Sequence, residues 1–365
     1  MCSGSGSWTF TYGILRRELM PLESIAKTAI ALLPVIALVV VLFRLDSHRL
    51  LGTGFLTGMF LAGGAVAVLC SFINGYAIES LGVEFNRYSR FAAPLIEELL
   101  KAAVIVYLFR SNRIGFLIDA GILGFAVGAG FSFVENIYYL ATVHDAHYGV
   151  WLVRGFGTAI MHGGATALFA IIAEVMTERH LKMNPLLYVP GLIVAFLLHS
   201  IFNHFPISPI LAAAVTLLIL PTILFLLFER NETTIHNFLE LDFAAHRRLL
   251  NQIRHGEFSG CEAGRFLQDM KAKLAGPVAD EMIQYFCLHT ELVLSAESIL
   301  LAREQGIEME VGSEIQDKLR AMHELEQHIG RAGLRALRPH LHFTAKDMWE
   351  VHLLEHEANH AHHRS

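Results

Sequence analysis

Residues 114–140 read IGFLIDAGILGFAVGAGFSFVENIYYL, 27 positions with only two acidic or basic side chains, Asp119 and Glu135. A helix rises 1.5 Å per residue, so about 20 apolar residues cross the hydrocarbon core of a bilayer. This stretch is long enough to do so. Its Gly121, Gly124, Gly128 and Gly130 are what close helix packing in lipid calls for. Working outward, six further apolar runs have the same character: about Ile25–Phe43, Leu51–Ile78, Ala92–Phe109, Val150–Met176, Leu186–Phe205 and Ile210–Phe228. Charged or turn residues fill the breaks, and the break at Pro206–Pro209 is short enough to demand a tight hairpin. The pattern predicts an all-α fold, a polytopic transmembrane helix bundle of about seven spans.

Composition agrees once the chain is divided. The 365 residues are 54% hydrophobic and 17% charged, with a mean hydropathy of +0.46. Residues 1–229 hold 13 Lys/Arg and 13 Asp/Glu, roughly 11% against the ~25% of a soluble chain. Residues 230–365 hold 15 and 21, an ordinary soluble value of roughly 26%. The expected organisation is an N-terminal tail (1–24), a membrane bundle (25–229) and a soluble helical C-terminal domain (230–365). Helices are expected there at about Ile235–Arg254, Cys261–Leu274, Pro277–Glu304, Ser313–Arg331 and Thr344–His360, with apolar residues such as Leu288, Leu292 and Ile299 at helical spacing. The net charge of −6 arises in the tail and argues against nucleic acid as partner. Cys2, Cys70, Cys261 and Cys287 show neither disulfide-scaffold density nor zinc-ribbon spacing. The run from Ile25 is too long for the core of a signal peptide.

The Lys/Arg bias of the short loops sets the orientation. Arg44, Arg49, Arg110, Arg113, Arg179, Lys182 and Arg230 fall on one side; Arg16, Arg17, Lys27, Arg87 and Arg90 fall on the other. The expectation is an integral protein of a bacterial cytoplasmic membrane with its C-terminal domain in the cytoplasm.

Ionisable groups inside a span cost several kcal/mol and mark function by default. Here they gather in four motifs: Glu97-Glu98-Leu99-Leu100-Lys101, Phe131-Ser132-Phe133-Val134-Glu135-Asn136, His162-Gly163-Gly164-Ala165-Thr166 and His199-Ser200-Ile201-Phe202-Asn203. Counted from the outer ends of alternating spans, Glu97 and Glu135 lie ~8 Å deep, His199 ~9 Å and His162 ~12 Å. Four motifs on four helices thus share one depth. Taken singly, a Glu–Lys pair reads as a structural ion pair, Glu135 as a packing hydrogen bond, and a lone histidine as structural or part of a proton path. Their coincidence points to one shared polar site. Lys101 stands i+4 from Glu97 and i+3 from Glu98, so it can compensate one carboxylate and leave the other for chemistry. Asn203, i+4 from His199, can orient the imidazole or stabilise an oxyanion. Such a set, with Glu98, Glu135, His162 and His199 as candidate ligands, can hold Zn2+ or another divalent metal. Alternatively, a glutamate activates water as general base. Either route yields hydrolysis. A non-enzymatic sensor or transporter using the cluster as an ion or proton path is the competing reading, and the absence of paired halves in the sequence weakens it.

The order Glu-Glu-x-x-Lys, Phe-x-x-x-Glu-Asn, His-x-x-x-Thr, His-x-x-x-Asn resembles the PrsW family of intramembrane proteases over about Phe91–Phe205. That family is similar to the wider group of CAAX-type prenyl endopeptidases and bacteriocin-processing membrane proteins. The resemblance implies a hydrolase cutting membrane-anchored protein substrates, anti-sigma factors among them. It assigns the family's site to Glu97, Glu98, Lys101, Glu135, His162 and His199. Glu135 stands where the prenyl-endopeptidase branch has His, which favours the PrsW branch. Asn203 stands where Asp is common, and an amide supplies no negative ligand.

The tail also contains His356-Glu357-Ala358-Asn359-His360, the H-E-x-x-H pattern of zinc proteases. It lies five residues from the last residue of the sequence, with no room for a third ligand, in a segment holding 13 of the 20 histidines. It reads as a chance match. The series His352, His356, His360 retains the spacing for adventitious metal binding or pH sensing.

Overall fold

A computed structural model of the protein describes residues 6–45, 52–143, 146–177, 184–254, 277–304, 307, 309, 311–337 and 345–362. Every regular element among them is helical. Backbone polar groups in lipid must be satisfied within their own segment, so long apolar runs have no other choice. In chain order the helices are α1 (Gly6–Leu45), α2 (Thr53–Leu81), α3 (Ala93–Arg110), α4 (Leu117–Thr142), α5 (Tyr148–Thr177), α6 (Pro185–His204) and α7 (Pro209–Arg254). After these come α8 (Pro277–Glu304), α9 (Ser313–Leu337) and α10 (Ala345–His362). A short turn Phe85–Arg87 and a π-helical turn Tyr88–Ala92 lead into α3. A second π-helical turn, Val153–Thr158, lies inside α5.

Among the described residues, seven helices are long and apolar enough to cross a membrane, but their membership differs from expectation at one place. Six coincide with expected spans. The third expected span, α3, is not among them because its 18 residues carry Glu97, Glu98, Lys101 and Arg110. Its surface nevertheless suits a bilayer: Leu95 and Leu99 are 48% and 53% exposed while Glu97, Glu98 and Lys101 are buried. Those three charges are on the inner face and the two leucines on the outer. The seventh by composition is Asp280–Arg303 of α8, with the lowest hydropathy of the set, 1.3. That apolarity serves a bundle core. Phe286, Leu292, Val293 and Ile299 pack with Val311 just before α9, with Leu319 of α9 and with Leu354 of α10.

Other boundaries shift for local reasons. α1 starts at Gly6 although its apolar span starts at Leu22. α7 runs on to Arg254, joining the last span to the helix expected at Ile235. Residues 229–234 contain neither Gly nor Pro to stop it. α9 is interrupted at Gly330, whose φ of 70° is readily open only to glycine. The helix expected at Cys261–Leu274 lies outside the described residues.

The chain forms two compact units. The first comprises residues 1–106, 121–172 and 189–225, and its helices meet at glycines. A Cβ on Gly130 of α4 would land on the Phe60 carbonyl of α2, and one on Gly128 would land on the His162 carbonyl of α5. Glycine on two faces of α4 therefore brings both neighbours to backbone contact. The second unit comprises residues 107–120, 173–188 and 226–365. In it Trp349 of α10 is buried against Gly115, where a Cβ would strike the indole, and meets Phe116 edge to face with ring centroids 4.9 Å apart.

Candidate active site

The four polar motifs converge in the first unit. Glu97, Glu98, Lys101, His162 and His199 are 7%, 2%, 0%, 1% and 3% exposed. Charge at this burial survives only when paired, and the pairing is dense. Lys101 Nζ donates to Glu98 Oε1 at 2.6 Å and lies 3.0 Å from His162 Nδ1. The same Glu98 oxygen lies 2.7 Å from His199 Nδ1. That contact turns His199 Nε2 towards Glu97 Oε2, 3.9 Å away. The two imidazole rings stand edge to face, with centroids 4.6 Å apart.

Glu97 and Glu98 divide the work that the sequence left open between them. Neighbours on a helix point about 100° apart, so one faces the lysine and the other does not. Glu98 takes Lys101. Glu97, His162 and His199 each offer one ligand atom, and these atoms lie within 4.8 Å of one another. The ligand set expected from sequence had Glu98 and Glu135 beside the histidines; in the structure the close group contains Glu97. Glu135 stands next to it, its Oε2 3.4 Å from His162 Nε2.

Three residues that the sequence reading did not assign to the site complete it. Arg154, in the π-helical turn of α5, places Nη2 2.8 Å from Glu135 Oε2. It also donates from Nε to Asn136 Oδ1 at 3.1 Å and stacks 3.6 Å above the Tyr139 ring. Asn74 of α2 donates to Glu97 Oε1 at 3.2 Å, and Tyr88 donates to Asn74 Oδ1 at 3.0 Å. Asn203, expected to orient His199, instead donates to the Ser89 carbonyl at 2.9 Å; Ser200 beside it donates to the Arg90 carbonyl at 2.7 Å. Both hold the π-helical turn before α3.

A cavity of about 900 Å³ opens on this cluster. Glu97, Glu135, His162 and His199 are on its wall, with Asn74 and Tyr88. Its remaining lining is largely apolar, drawn from α2, α4, α5 and the α6–α7 turn. The size suits a peptide or drug-sized ligand. At the C-terminal H-E-x-x-H pattern only the helix backbone is described; the side chains of His356, Glu357, Asn359 and His360 lie outside the described residues.

No curated protein matches the chain, and neither does any solved structure. A family model described as PrsW family intramembrane metalloprotease matches residues 47–228, a range that contains all four motifs and the six helices α2–α7 up to the end of the last span. Through residues 47–228 the chain belongs to the PrsW family of intramembrane metalloproteases.

Proposed function

We propose that this integral membrane protein hydrolyses peptide bonds of membrane-anchored proteins at the Glu97–His162–His199 group, with the C-terminal domain on the cytoplasmic side of a bacterial cytoplasmic membrane. The observation that carries the proposal is the approach of one carboxylate and two imidazoles, from three helices, to within 4.8 Å on the wall of a cavity. Two histidines and a glutamate are a donor set that suits a catalytic zinc or similar divalent ion, with room for further ligands on the cavity side. Such an ion polarises a carbonyl and makes water a nucleophile near neutral pH.

The chain's own residues supply the rest. Glu98, held between Lys101 and His199 Nδ1, fixes the ring so that Nε2 faces Glu97. A carboxylate behind a ligand histidine serves this purpose widely. Lys101 balances the charge of Glu98 without reaching the cavity. Glu135 is the cavity-wall carboxylate outside the ligand group, and Arg154 pairs with it. It accepts the proton of the attacking water as the water oxygen bonds to the carbonyl carbon. It returns that proton to the amine nitrogen as the C–N bond breaks. The apolar lining receives the side chains of a segment drawn from the bilayer.

The test is cleavage of a membrane-anchored reporter protein in proteoliposomes. Glu97→Gln, His162→Ala and His199→Ala each lose at least about 100-fold in kcat/KM. His356→Ala and His360→Ala, in the C-terminal pattern, keep wild-type rates. Chelation abolishes cleavage and added Zn2+ restores it. Undiminished cleavage in the three site variants overturns the proposal.

A further inference from the structure

Glu97 uses its two oxygens differently. Oε2 faces His199 Nε2, whereas Oε1 accepts from Asn74 Nδ2 at 3.2 Å. Asn74 comes from α2 and has no place in the four motifs. Its amide carries an acceptor at one end and donors at the other, so it can meet a carboxylate usefully in only one orientation. Tyr88, 4% exposed, donates its hydroxyl to Asn74 Oδ1 at 3.0 Å. The relay therefore runs one way, from phenol to amide to carboxylate. Tyr88 is itself fixed. It opens the π-helical turn Tyr88–Ala92, and the carbonyls of the next two residues, Ser89 and Arg90, are held by Asn203 and Ser200 of α6. The helix that supplies His199 thus also anchors the residue that orients the amide on Glu97.

We infer that Tyr88 and Asn74 are positioning residues: together they tie up Oε1 of Glu97 and leave Oε2 directed at the two histidines as a single-oxygen ligand. This rests on the metal site proposed above. Without the Tyr88 hydroxyl, Asn74 Oδ1 on the half-buried cavity wall loses its protein donor, and the amide is free to turn its oxygen towards the carboxylate. Glu97 then loses its fixed rotamer and the ligand group loosens.

The experiment is titration of the full-length, metal-free protein in detergent with Co2+, read by visible absorption. The signal is the difference between each protein and its His199→Ala counterpart, so that the tail histidines cancel. Tyr88→Phe and Asn74→Ala each weaken Co2+ binding by about 10-fold or more, as residues supporting metal ligands typically do. The double variant is no weaker than Asn74→Ala alone, because both act through one chain of hydrogen bonds. Tyr88→Phe keeps the ring and its packing, so its thermal melt stays at the wild-type position. Single variants that bind Co2+ as wild type does, or losses that multiply in the double variant, overturn the inference and leave the metal site standing. A wild-type protein with no Co2+ signal, or one whose signal survives Glu97→Gln, overturns the metal site and this inference with it.

Discussion

Glu98 and Lys101 are enclosed charges of the membrane bundle, 2% and 0% exposed and 2.6 Å apart. A buried pair of this kind is weak evidence for stability but costly to break, because the surviving partner is left charged without solvent or counterion. Lys101→Met is therefore expected to destabilise the protein by about 3–5 kcal/mol, whereas Glu98→Gln with Lys101→Met recovers much of that loss. The double variant still lacks the carboxylate that orients His199, so its cleavage rate does not recover with its stability. Unfolding in detergent against denaturant, alongside the reporter assay, checks the two together. If the double variant is no more stable than Lys101→Met, the charge argument fails. Sequence alone made both glutamates visible, since their intramembrane position is expensive. It did not separate them, because Lys101 at i+3 and i+4 reaches either one. The choice depends on where His199 arrives from another helix.

At the scale of an element, the π-helical turn Val153–Thr158 explains how α5 serves the site twice. Two turns of α-helix take about 7.2 residues, yet Arg154 and His162 are eight apart and both reach Glu135 Oε2. The i→i+5 turn absorbs the extra residue, and such turns recur at functional sites. Deleting Phe156, whose side chain is exposed, is expected to restore regular α-helix between them and swing Arg154 off Glu135. Cleavage should fall by about 10- to 100-fold with the circular-dichroism helix signal intact. Wild-type activity in the deletion would show that the turn is incidental. None of this was legible beforehand. Hydrophobic periodicity reports spans, not one-residue irregularities within them, and an arginine near a span end reads as an interface anchor. Asn74 was hidden for a related reason: a single uncharged amide in the apolar α2 costs little enough to pass as packing. The depth of the ionisable groups, by contrast, was legible, because alternation of spans places the ends of α3, α4, α5 and α6 together whatever the details of each helix.

For the whole molecule, the second unit ties the membrane topology to the tail. Trp349 of α10 fills the space that a side chain at Gly115 would need, in the loop between α3 and α4. Residues in such contact must lie on one side of the bilayer. The arginines flanking that loop, Arg110 and Arg113, belong to the more basic set of loops, which the loop-charge rule expects on the cytoplasmic side. Asn86, just before the other end of α3, belongs at the opposite face. With the native cysteines replaced, a membrane-impermeant thiol reagent is expected to label Asn86→Cys on intact cells, and Ser111→Cys and Gln327→Cys only after permeabilisation. The outcomes separate three claims. Labelling of all three in the reverse sense would keep the fold and overturn the orientation. Ser111→Cys and Gln327→Cys labelled from opposite faces would contradict the Trp349 contact itself, whereas Asn86→Cys and Ser111→Cys labelled from the same face would overturn the assignment of α3 as a spanning helix, because α3 is the segment that carries the chain from Asn86 to Ser111.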